Sequence, residues 1–147
     1  MDIFFEEAVA QARKSFEEGG IPIGSVIAYQ GNILGKGHNK RIQQGSVVLH
    51  GEMDALENAG RQAAEIYRKS VLYTTLSPCP MCTGAILLYG IPKVVIGENK
   101  TFLGSEDLLR SHGVEVIVLN NQECVDLMNS FIKIHPEIWY EDIGEPG

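Results

Sequence analysis

Two short stretches concentrate the reactive side chains of this chain: His50-Gly51-Glu52, and, after a gap of 25 residues, Pro78-Cys79-Pro80-Met81-Cys82. Two thiols three residues apart share one face of a helix. The run Val71–Leu76 just before them is strand-forming, which places Cys79 and Cys82 at the opening of a helix that follows a strand. Pro78 and Pro80 suit that position, because the first helical amides have no intrahelical partner to lose. The positive end of the helix dipole lowers thiol pKa and favours the thiolate, the form that binds metal. Taken alone, the pair reads as a redox couple, as half of a structural zinc knot, or as part of a catalytic metal site.

His50 and Glu52 narrow the choice. Residues two apart on a regular helix point to roughly opposite sides, so these two converge only if His50 is still extended where a loop enters a helix. Gly51 has no side chain, and its amide can face the same space. One imidazole and two thiolates form a zinc ligand set that leaves the fourth tetrahedral position to water, and an open position means catalysis. H-x-E followed by P-C-x-x-C is the signature of the zinc-dependent nucleobase deaminases, in which the glutamate moves protons and does not bind the metal. A redox pair would leave His50 and Glu52 without a role, and a structural site would want a fourth Cys or His nearby.

The rest of the chain limits what such a site can serve. A length of 147 residues suits one domain with a sizeable core. Three cysteines are too few and odd in number for a disulfide framework. Acidic residues near the N-terminus and the lack of a long apolar run predict a cytoplasmic protein with no membrane partner. A net charge of −7 gives no general attraction to phosphate backbones, so no nucleic-acid partner is expected, although Lys36, Lys40 and Arg41 form a local basic patch.

Periodicity supplies the scaffold. Apolar residues at helical spacing predict a helix over 2–18, ended by Gly19-Gly20. Residues 23–30 and 33–37 read as a hairpin turning at Gly31-Asn32, and a polar loop runs through Gln44. A helix follows over about 51–61, with turn-like or helical residues to 68. Strands at 71–76, 93–97 and 114–119 then alternate with helices at about 79–89, 105–111 and 122–134, leaving a tail from 135 to 147. Such alternation implies a sheet covered on both faces, with helices crossing between parallel strands. The helix at 79–89 is apolar almost all round and is expected to be buried, its outer face being a candidate for contact with a second copy.

With these motifs in place, the chain resembles the cytidine and deoxycytidylate deaminase superfamily, and within it the fungal-type cytosine deaminases that act on the free base. The likeness is carried by GGIPIGSVI at 19–27, GKGHNKR at 35–41, LHGEMDALENAGR at 49–61, LYTTLSPCPMCTGAILLYGIPKVVIGEN at 72–99 and IWYEDIGE at 138–145. It departs at position 80, a proline where the fungal enzymes carry an acid, at Tyr140, and in a shorter loop after Phe102. The resemblance implies an α/β fold, a three-layer α/β/α sandwich around a mixed five-stranded sheet, and a homodimer. One deaminase domain would span 1–147, with 135–147 closing the active site.

The resemblance further implies that one zinc per chain is held by His50, Cys79 and Cys82, with Glu52 as general acid and base. Asn39, the Gly51 amide and the Ser77 carbonyl would meet the polar edge of a pyrimidine. Ile23, Phe102 and Trp139 would wall it, and Asp142 would complete the pocket. The expected reaction is hydrolysis of cytosine to uracil and ammonia in pyrimidine salvage. Guanine, isocytosine or cytidine deamination, tRNA adenosine deamination, and a non-catalytic zinc or thiol redox protein are the alternatives. His38 reads as structural, His112 and His135 are assigned no function, and Cys124 reads as a buried, inert thiol.

Overall fold

The computed structural model describes residues 2–147. Helix α1 (Ile3–Glu17) is started by Asp2, whose carboxylate accepts from the Phe4 amide at 2.8 Å. Strands β1 (Gly24–Tyr29) and β2 (Asn32–His38) form the hairpin. Its two-residue turn is Gln30-Gly31, one position earlier than the sequence predicts: both residues have positive φ, and Tyr29 pairs with Asn32. Two left-handed residues match the right-handed twist of a hairpin, and that backbone requirement, not the Gly-Asn composition, sets the register.

The remaining elements are α2 (Arg41–Gln44), α3 (Gly51–Ala59), α4 (Ala64–Tyr67), β3 (Val71–Leu76), α5 (Pro80–Tyr89), β4 (Lys93–Glu98), α6 (Glu106–Ser111), β5 (Glu115–Val118), α7 (Gln122–Ile134) and α8 (Pro136–Asp142). Helix α2 replaces the end of the expected polar loop, and α8 gives the tail a regular form. The strand order is β2-β1-β3-β4-β5, with β1 antiparallel to both neighbours and β3, β4 and β5 parallel. The expected mixed five-stranded sheet is thus observed.

Alternation along the strands sends successive side chains to opposite faces. Ile27, Leu72, Val94 and Ile96 meet Ala55, Ile86 and Leu109 of α3, α5 and α6 in one core layer. Val26, Ala28, Tyr73 and Val95 meet Phe5, Ala8 and Val9 of α1 and Cys124 of α7 in the other. Close approach demands glycine at position 35: a Cβ there would lie 2.4 Å from the Ala55 carbonyl of α3. A third cluster, Ile21, Ile23, Leu76, Met128, Phe131 and Trp139, joins α7 and α8 to the carboxyl end of β3. In open α/β sheets ligands bind just outside the carboxyl ends of the strands.

Helix α5 departs from the expectation of full burial. Its inward residues Cys82, Ala85 and Ile86 are buried, but Leu88 is 73% and Tyr89 45% exposed. The outer face of this helix therefore presents apolar surface. Cys124 is buried as expected, and burial pushes its thiol up to about 12. His38 packs its ring against the Asn39 carbonyl, at 3.0 Å, in a structural role.

Candidate active site

The two chemical motifs sit at two helix openings. His50 precedes α3 with extended backbone, φ −65° and ψ 164°, and its side chain makes no capping bond. Cys79 occupies the same place before α5, with φ −68° and ψ 172°, and Pro80 begins the helix. These extended residues swing their side chains off the helix axis toward each other. His50 Nδ1 lies 3.4 Å from Cys79 Sγ and 3.8 Å from Cys82 Sγ. The three donor atoms all lie within 4.8 Å of one another.

This spacing fits zinc. Bond lengths of ~2.3 Å to sulfur and ~2.0–2.1 Å to nitrogen at a tetrahedral angle separate the two donor types by ~3.6 Å. The observed 3.4 and 3.8 Å bracket that value. Nε2 of His50 stands 3.2 Å from Asp142 Oδ1. A carboxylate only accepts, so Nε2 carries a proton, which leaves Nδ1 as the nitrogen that would face a metal between the thiols, an outer carboxylate orienting the ligand. Glu52, in the first turn of α3, lies outside this donor group and lines the same cavity.

As side chains alone, these groups polarise one another. Burial and then the neighbouring Cys79 push Glu52 up to about 7, only partly opposed by His50. Hydrogen bonding from Cys82, and also from His50, holds Cys79 down at about 4 against burial. Its neighbour Cys82 goes well up, through the bond to Cys79 and burial. Burial works against the His50 cation, but the hydrogen bonds to Asp142 and Cys79 outweigh it and raise the ring to about 10. Asp142 is lowered, burial being outweighed by His50 and Arg41. A divalent cation held by His50, Cys79 and Cys82 would override this order, with both thiols bound as thiolates.

The cavity beside the donors has a volume of about 20 Å³, the space of about one water. It is lined by Ile23, His50, Glu52, Leu76, Ser77, Cys79, Phe102, Trp139, Asp142 and Ile143. Cavities for drug-sized ligands run to ~300–1,000 Å³, so this one is closed, and a ring enters only when part of the lining moves. Phe102 meets Trp139 edge to face, with centroids 6.1 Å apart. Asn39 and Gly51 are buried behind this lining. Asn39 donates to Asp142 Oδ2 at 2.9 Å and accepts from the Arg41 amide at 2.9 Å, while Gly51 sits against Ile23 and Ser25.

Sequence reasoning passed over Leu76, Ile143 and Arg41 as site residues. Leu76 was detectable as the strand residue next to Ser77. Arg41 was not: its guanidinium holds Asp142 at 2.7 Å across 101 residues of chain, and no local pattern reports such a link.

The comparisons agree with this geometry. The family profile "Cytidine and deoxycytidylate deaminase zinc-binding region" matches residues 2–98. The chain is 62% identical over 139 residues to a cytosine deaminase of Candida albicans, covering 94% of this chain and 93% of the relative. It is 36% identical to a tRNA-specific adenosine deaminase of Streptococcus pyogenes, covering 88% of both. The fold is shared with a structure from studies of tRNA:A34 deaminases, with a TM-score of 0.70 at 24% identity over 84% of this chain and 97% of that one. It is shared as well with a guanine deaminase from Nitrosomonas europaea, with a TM-score of 0.69 at 18% identity over 87% and 82%. A profile spanning two helix-opening motifs that here converge on one metal-sized point leaves no ambiguity of family, and the chain belongs to the cytidine and deoxycytidylate deaminases of the zinc-binding type.

Proposed function

We propose that this protein is a zinc-dependent hydrolase that converts cytosine to uracil and ammonia. The observation that carries the reading is the meeting of His50, Cys79 and Cys82 beside a buried Glu52, at a closed cavity walled by Phe102 and Trp139. The relative at 62% identity supports the choice of base. His50, Cys79 and Cys82 would hold zinc, which when bound supplies Lewis acidity and a water of lowered pKa. Glu52 takes one proton of the attacking water and returns it to the ring nitrogen; it then takes the remaining proton of the added hydroxyl and passes it to the amino group, which leaves as ammonia as the carbonyl forms. The openings of α3 and α5, each with about half a positive charge, offset the charge of the thiolates.

Around the ring, the Ser77 carbonyl accepts from the amino group. Asn39 retains one amide proton and one lone pair beyond its bonds to Asp142 and Arg41; with the Gly51 amide these serve the polar edge of the base. Ile23, Phe102 and Trp139 wall the ring, and Asp142 closes the pocket. Residues 1–147 act as one deaminase domain in which 135–147 form a lid whose opening limits product release. Deamination of tRNA is disfavoured by the net charge of −7 and by the tail docked over the site, which leaves little room for a ribose.

An ammonia-release panel over cytosine, guanine, isocytosine and cytidine, with zinc measured in the same samples, tests the reading. Cytosine is expected to give the highest kcat/KM. Ammonia from another base with cytosine inert overturns the substrate, and silence on every base with full zinc overturns the activity.

The protein works as a homodimer in the cytoplasm, where adjacent thiols stay reduced, and its product enters pyrimidine salvage. Exposed Leu88 on α5, together with Tyr89, which lies beside Met53 and Leu56, forms the apolar surface that a second copy covers. Leu88→Glu is expected to convert a species of twice the chain mass into a monomer in sedimentation velocity; an unchanged dimer removes α5 from the interface.

A further inference from the structure

Two almost fully buried carboxylates, Glu98 and Glu106, take no part in the chemistry above. Both bracket the irregular segment 99–105 that carries Phe102. Burying a carboxylate is costly unless hydrogen bonds satisfy it, and here the partners all belong to that segment or to its anchor. Glu98 Oε1 accepts from the amides of Lys100 and Thr101, each at 2.8 Å, and its Oε2 accepts from the Thr101 hydroxyl at 2.5 Å. Glu106 Oε2 accepts from the Ser77 hydroxyl at 2.6 Å, and its Oε1 from Asn99 at 3.2 Å, with Arg110 further off at 3.7 Å.

Ser77 is the pivot. Its hydroxyl donates to Glu106 and accepts from the Gly104 amide at 2.9 Å. The next residue, Pro78, takes the Ser105 amide on its carbonyl at 3.1 Å. Contact at Gly104 is so close that a Cβ would lie 1.9 Å from the Pro78 oxygen. The segment is thus tied at its start to Glu98 at the end of β4 and at its end to the turn that bears Cys79, and only the arc around Phe102 and Leu103 is left without such ties.

We propose that Glu106, acting through the Ser77 hydroxyl, is a positioning residue that holds Phe102 as the fixed wall of the pocket and so sets how large a ring the site accepts. The identity of the substrates rests on the free-base deaminase reading; the geometry does not. Loss of the link lets the arc carrying Phe102 retreat from Trp139, which weakens the grip on a small ring and admits a bulkier one. The chain has a single tryptophan, Trp139, so its emission reports this wall whatever the substrate.

Ser77→Ala, Glu106→Ala, the double variant and Glu106→Gln are compared as zinc-loaded proteins. Each alanine variant is expected to raise KM for cytosine roughly tenfold, as for a lost charge-assisted bond, with kcat within about threefold. The preference for cytosine over 5-methylcytosine narrows, Trp139 emission shifts, and Glu106→Gln restores most of both. Because the two groups act through one bond, the double variant is expected to be no worse than either single one. A folded Ser77→Ala protein with wild-type KM and emission overturns the proposal. That variant removes one oxygen and decides the matter even where Glu106→Ala fails to fold. Wild-type protein inert toward cytosine counts against the deaminase reading instead, and the emission comparison still decides the clamp.

Discussion

Glu52→Gln is expected to keep one zinc per chain and to lose turnover of cytosine by about 10³-fold, in the middle of the range for removing a general acid or base. The amide matches the carboxylate in shape and volume, so the buried site keeps its packing, and Glu52 is outside the donor group formed by His50, Cys79 and Cys82. What the amide cannot do is carry a proton. Burial and the Cys79 sulfur push the Glu52 carboxyl up to about 7 in the metal-free site, and a bound cation would act in the opposite direction. Since the same carboxylate serves the water, the ring nitrogen and the leaving amine, one substitution blocks several steps. Metal content and steady-state kinetics on the same preparation check this. Normal turnover at full zinc content would refute the shuttle role.

The metal set was legible in the sequence because zinc constrains both residue type and spacing. A cysteine pair three apart and an H-x-E triplet each need a helix opening, and Pro80 after Cys79 and Gly51 after His50 mark those openings. The sheet was legible because Val26-Ile27-Ala28 and Val94-Val95-Ile96 alternate between two apolar layers. Periodicity says nothing about what spans the chain. The bond from Arg41 to Asp142 closes 101 residues and that from Ser77 to Glu106 closes 29, and neither has a local signal. Position 77 shows the difference sharply: the resemblance assigns its carbonyl to the substrate, and the structure adds a hydroxyl that ties down the neighbouring wall.

Deleting residues 136–147 is expected to lower cytosine turnover by about 100-fold or more, because the segment contributes three separate things. Trp139, Ile138 and Ile143 pack on Ile21, Met128 and Phe131, and fully burying one large apolar side chain stabilises by roughly 1.5–3 kcal/mol. Asp142 orients His50, and outer-sphere partners of metal ligands are worth roughly 10–100-fold in affinity or activity. Trp139, Asp142 and Ile143 also cover the cavity, which without them stands open to water. Asp142→Asn separates these parts, since it keeps the packing and removes only the charge facing His50 and Arg41. A ring can enter so small a cavity only if one wall moves. The Phe102 side is tied by two buried carboxylates, whereas the tail is held by apolar contacts and by the Asp142 bonds to Asn39, Arg41 and His50. On the proposed reading the tail is the wall that opens, and a truncated protein with full activity and unchanged KM would end its role as a lid.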